Sequence, residues 1–89
     1  MKKQIANIKM IKKNPCAYCD RAQNLLNGKD LQFEVIDLTG NFDEILKWKQ
    51  KTGSQTVPMI LINDEFIGGY QELKELEENG ELDSLVFEK

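Results

Sequence analysis

Two cysteines stand three residues apart in Pro15-Cys16-Ala17-Tyr18-Cys19, between a short apolar run and an amphipathic one. No other feature of the chain constrains its fold as strongly. Upstream, Ala6 to Ile11 is apolar and partly alternating, as a strand requires. Downstream, Ala22, Leu25 and Leu26 keep helical spacing and Gly28 marks a stop, so a helix is expected from about Cys16 to Asn27. A helix opening on Cys16 places Cys19 one turn on, nearly on the same side. At that spacing the Cα atoms fall within the range of about 4.4–6.8 Å that a disulfide tolerates. Cys16 would also lie against the unpaired N–H groups and positive end of the helix, which favour its thiolate and lower its pKa. Lys12 and Lys13 add positive charge just upstream. Cys19 is expected to be the more buried thiol, so that one sulfur attacks and its neighbour resolves.

The rest of the chain supplies a small α/β frame. Phe33-Glu34-Val35-Ile36 reads as a second strand. Asn41 with Glu44 three residues on predicts a capping-box start for a second helix, with Phe42, Ile45, Leu46 and Trp48 inward and Gly53 at its end. Met59 to Ile62 is a short apolar strand, and Asn63-Asp64 turns it into Glu65-Phe66-Ile67. Gly68-Gly69 ends that strand. Tyr70 to Asn79 is an amphipathic helix with Leu73 and Leu76 inward, and Leu82, Leu85 and Val86 cap the core from a last short turn. An early βαβ crossover demands parallel strands, while the hairpin adds antiparallel ones, so the sheet is mixed and helices cover it. No repeat or linker breaks the pattern, and the expectation is one domain over residues 1–89.

Composition narrows function mainly by exclusion. Hydrophobic residues at 40% and charged residues at 30% make an ordinary globular balance. Twelve basic against fifteen acidic residues, a net charge of −3, argue against a dedicated nucleic-acid binder. There is no histidine, which removes Ser-His and Cys-His hydrolases and His-liganded zinc. Met1-Lys2-Lys3 leads into a stretch that Lys9 interrupts, without the apolar region of an export signal. The longest apolar run, Val57 to Ile62, falls far short of the roughly 20 residues of a membrane span. The expected location is therefore a reducing cytoplasm, with no membrane or nucleic-acid partner.

In that setting the cysteine pair has several readings. A structural disulfide is disfavoured by the compartment and by its short loop. Zinc wants four ligands, and two cysteines without histidine cannot supply them from one chain. Two buried thiols would be the default elsewhere, but a C-x-x-C that begins a helix after a strand signals redox chemistry and a thioredoxin-like fold. Two further features join it. Thr56-Val57-Pro58 puts a proline at a strand's first residue and leaves the backbone of Val57 open to an extended ligand. Gly68-Gly69 before a helix allows close approach and aims N–H donors at an anion.

Taken together, Lys13, Cys-Ala-Tyr-Cys, Thr52-Gly53, Thr56-Val57-Pro58 and Ile67-Gly-Gly-Tyr-Gln-Glu-Leu73, in that order, resemble a glutaredoxin of the dithiol type over about Ala6 to Leu85. The resemblance implies a thioredoxin-like fold with a four-stranded mixed sheet flanked by helices. It also implies a glutathione-dependent thiol–disulfide oxidoreductase acting on protein disulfides and glutathione mixed disulfides, with electrons drawn from NADPH through glutathione reductase. Cys16 would be the nucleophile that holds glutathione, and Cys19 the resolving thiol. Lys13 would face the glycine carboxylate, and Tyr18 would wall the groove. Val57 would pair with the cysteinyl backbone between Thr56 and Pro58, and Gly69, Tyr70, Gln71 and Glu72 would lie at the γ-glutamyl end. The partners implied are glutathione and disulfide-bonded or glutathionylated proteins, with the chain a monomer and no metal required.

Ala17 stands where the family commonly has proline, and Ile45 where it often has Arg or Gln. A small residue at position 17 goes, in the family, with a second role: a [2Fe–2S] carrier in which Cys16 from each of two chains and two glutathiones supply the four thiolates. A third alternative keeps the fold but is reduced by thioredoxin reductase, against which Gly-Gly-Tyr-Gln-Glu speaks.

Overall fold

The computed structural model describes residues 3–88, so Met1 and Lys2, read above as part of the amino-terminal start, lie outside the described residues. Strand β1 spans Ile8–Lys12, helix α1 Ala17–Gly28, β2 Glu34–Asp37 and α2 Phe42–Thr52. Then follow β3 Met59–Ile62, β4 Glu65–Gly68, α3 Tyr70–Glu78 and α4 Glu81–Val86. The sheet order is β2-β1-β3-β4, with β1 and β2 parallel and both β1–β3 and β3–β4 antiparallel. The mixed sheet anticipated from the crossover and hairpin is the one formed. Strand β1 starts two residues later than expected, at Ile8, and the closing turn is a six-residue helix.

Central strands covered on both faces read as continuous apolar runs, and β3 is buried at every position. Its alternate residues divide the interior in two. Ile8 and Met10 of β1 with Ile60 and Ile62 of β3 face Ala22 and Leu26 of α1, Leu73 of α3, and Leu82 and Val86 of α4. On the opposite face Ile11, Met59 and Leu61 meet Ile45 of α2. Lys29, with most of its side chain covered, ties the end of α1 to the last two helices through Glu77 and Asp83, each at 2.8 Å. Asn63 and Asp64 of the hairpin both take positive φ, which short polar side chains tolerate.

Helix α2 departs from its pattern. Asn41 caps it by accepting the Glu44 N–H at 3.4 Å. The reciprocal half of the box is absent, because the Asn41 N–H donates to the Leu38 carbonyl and Glu44 pairs with Lys47. Of its four supposed inward residues, Ile45 is buried and Trp48 half-buried, but Phe42 is 75% and Leu46 54% exposed. Helical spacing alone marks a stripe wider than the contact a short helix makes with two strands. Leu85 is likewise exposed, since α4 turns only Leu82 and Val86 inward.

Candidate functional site

The site is built on the junction that carries the cysteines. Cys16 is the N-cap of α1 rather than its first residue, with extended backbone at φ −157° and ψ 103°. Its Sγ accepts the Cys19 N–H at 3.1 Å, the role an N-cap oxygen plays elsewhere. Cys19 is wholly buried while Cys16 is partly open. The Cα atoms stand 5.2 Å apart and the sulfurs are joined as a disulfide. In the reduced state the same N–H and the free N–H groups of the first turn favour negative charge on Cys16. Of the two sulfurs, the Cys16 one is partly open to solvent and the Cys19 one is buried behind it.

The loop before Cys16 is held by contacts the sequence did not reveal. Asn14 N–H donates to Thr39 Oγ1 at 2.8 Å, and Asn14 Nδ2 reaches Asp37 Oδ2 at 3.4 Å. The Thr39 hydroxyl donates in turn to Asp37 Oδ1, and the Thr39 N–H to the same oxygen at 3.0 Å. These two bonds, the hydroxyl's first, hold the Asp37 carboxyl below its ordinary range. The Asp37-Leu38-Thr39 spacing is a local side-chain turn that could have been read; its long-range partner Asn14 could not.

Beside Cys16 runs a groove of ≈ 380 Å³ lined by Tyr18, Thr56, Val57, Pro58, Gly69, Tyr70, Gln71 and Glu72. The structure therefore brings together every anticipated groove residue except Lys13, which lines a separate depression with Phe42, Ile45, Leu46 and Lys49. The Val57–Pro58 bond is cis, as is Asn14–Pro15. Val57 precedes the β3 ladder, which begins at Met59, so its backbone edge is not taken by a strand. Its carbonyl oxygen lies 3.8 Å from Cys16 Sγ, which joins groove to nucleophile. Tyr18 and Tyr70 close one wall with ring centroids 6.0 Å apart, and the Arg21 guanidinium lies 5.2 Å from the Tyr18 ring.

At the far end Glu72 does more than was expected of it. Its Oε1 accepts the Gly69 N–H at 2.7 Å and so fixes the entry to α3. That leaves the N–H groups of Tyr70 and Gln71, in the first turn, directed out of the helix start. Gly68, at φ +131°, gives Glu72 its room: a Cβ there would meet the Glu72 side chain at 2.5–2.6 Å. Among the described residues no group of three or more potential metal ligands is found.

The Glutaredoxin family model matches residues 8–67. Glutaredoxin 3 of Escherichia coli K12 is 35% identical over 82 residues, covering 92% of this chain and 99% of its own. Among solved structures, a buckwheat glutaredoxin–glutathione complex superimposes with a TM-score of 0.81 at 28% identity, over 89% of this chain and 74% of that one. A glutaredoxin from Brucella melitensis gives 0.80 at 32% identity, over 90% and 87%. The fold, the cysteine pair and the matched sequence agree: the chain belongs to the glutaredoxin family and has the thioredoxin-like fold, and its Cys16–Cys19 pair makes it a thiol–disulfide oxidoreductase.

Proposed function

We propose that the reductant is glutathione, and that the chain reduces protein disulfides and glutathione mixed disulfides with it. The observation that carries this reading is the groove that meets Cys16 at Val57, with a strand-like edge at one end and helix-start N–H donors at the other. An extended tripeptide ending in carboxylates suits that combination: backbone pairing along Val57, and a carboxylate on the N–H groups of Tyr70 and Gln71. The buckwheat relative, solved as a complex with glutathione, supports glutathione as the ligand. Lys13, outside the groove, is assigned the glycine carboxylate, on the nucleophile's own loop.

The chemistry then balances in two steps. Cys16 thiolate attacks the glutathione sulfur of a mixed disulfide, and the substrate leaves as a thiolate. A second glutathione attacks the bound glutathione, releasing glutathione disulfide and restoring Cys16. With a protein disulfide, Cys16 attacks one protein sulfur, and Cys19 displaces it to leave the Cys16–Cys19 disulfide for two glutathiones to reduce. The test is Cys19→Ser mixed with glutathione disulfide and weighed intact. One glutathione per chain, absent from Cys16→Ser, is expected; no adduct on Cys19→Ser would overturn the assignment.

A further inference from the structure

The exposed ledge of α2 has no role in the groove, yet it adjoins the same loop. Phe42, Ile45, Leu46 and Lys49 share one helical face and, with Lys13, line a depression of ≈ 270 Å³. Phe42 is the most exposed large apolar side chain among the described residues. Apolar side chains set side by side on a surface are a feature of contact sites. The depression is tied to the nucleophile as well: Lys13 lies three residues before Cys16, and Thr39, just ahead of α2, holds Asn14 at 2.8 Å.

Its charge is local and specific. Neither Lys13 nor Lys49 takes part in an ion pair among the described residues, whereas Glu44, on the same helix, is engaged by Lys47. The chain is acidic overall and α2 itself carries Asp43 and Glu44, but no carboxylate among the described residues lines the depression. At physiological ionic strength charges are screened beyond about 8 Å, so a group seated in the depression meets Lys13 and Lys49 before the net charge. Glutathione, even with its glycine carboxylate at Lys13, carries no large apolar side chain to cover Phe42 and Leu46. The other participant in the exchange is the protein substrate.

We propose that Phe42, Leu46 and Lys49, beside Lys13, form a docking surface for that substrate: a segment bearing a large apolar side chain and a carboxylate close to its reactive disulfide. The proposal rests on thiol–disulfide exchange at Cys16 but not on glutathione, and its test leaves glutathione out. Reduced protein is mixed with cysteine-containing peptides carried as mixed disulfides with thionitrobenzoate. Cys16 attacks the peptide sulfur, the better leaving group departs as a coloured thiolate, and its release is timed. Two short peptides differ only in carrying Leu and Glu, or Ser and Lys, beyond the cysteine; cysteine itself is the third probe.

The wild type should favour the Leu–Glu peptide by about ten-fold, with the preference shrinking in high salt. The pair Phe42→Ser with Leu46→Ser should lower that rate to the level of the Ser–Lys peptide and leave the cysteine probe unchanged. Lys49→Glu, a surface exchange that spares the helix, should by itself shift the preference toward the Ser–Lys peptide. Equal rates on both peptides in the wild type would overturn the proposal. So would a uniform loss on all three probes, which would mean that the ledge supports Cys16 rather than a partner.

Discussion

Replacing Gly68 by alanine tests how the groove's far wall is built. The backbone there sits at φ +131°, where a side chain costs about 1–3 kcal/mol. The new Cβ would stand 2.6 Å from the Glu72 Cβ, which is anchored in the first turn of α3 and cannot swing aside. Either the strand end shifts or Glu72 leaves, and its hydrogen bond to Gly69, worth about 1 kcal/mol, goes with it. Because strain and crowding relieve one another in part, the sum is about 3 kcal/mol. A chain of this length has a total stability of roughly 4–13 kcal/mol, so the loss is severe: Tm should fall by at least about 10 °C. Urea unfolding followed by Trp48, the single tryptophan, measures it. Glu72→Ala isolates the cap and should cost about 1 kcal/mol. A Gly68→Ala variant no less stable than Glu72→Ala would refute the reasoning.

Three further outcomes are expected. Thr39→Val removes the hydroxyl that receives Asn14 and should slow alkylation of Cys16 without exposing Cys19, whereas Thr39→Ser should restore the wild-type rate; equal rates in all three would remove the clamp's role. Asp37 has a lowered pKa in the fold, so its stabilisation is complete above the ordinary carboxylate range and disappears as pH falls through the folded value. The stability gap between wild type and Asp37→Asn, present at neutral pH, should therefore close on acidification. Lys29 has a raised pKa, chiefly from Asp83 and then Glu77, so its contribution holds through neutral pH and is lost only above the ordinary lysine range. Lys29→Met should lower Tm by a few degrees at pH 7, with the difference vanishing in strong alkali.

Much of this architecture was legible because several signals coincide. The apolar run of β3 is too short for a helix and too continuous for an edge, and Asn63-Asp64 after it permits only a tight reversal. The Cys16 helix was placed by three apolar positions and Gly28. Phe42 and Leu46 failed because periodicity reports which residues share a face, not how much of it two strands can cover. The groove residues came from the family resemblance, carried over position by position, whereas the Asn14–Thr39 contact joins positions 25 apart and leaves no mark on either segment. Glu72 lines the groove, but its bond to Gly69 depends on the open space at Gly68, which only the fold shows.

The central claim is best tested by following NADPH during reduction of a small mixed disulfide, with glutathione and glutathione reductase in one cuvette and thioredoxin reductase in another. Turnover with glutathione alone, abolished by Cys16→Ser and retained by Cys19→Ser, is the predicted result. Turnover only with thioredoxin reductase, or activity that survives Cys16→Ser, would contradict it.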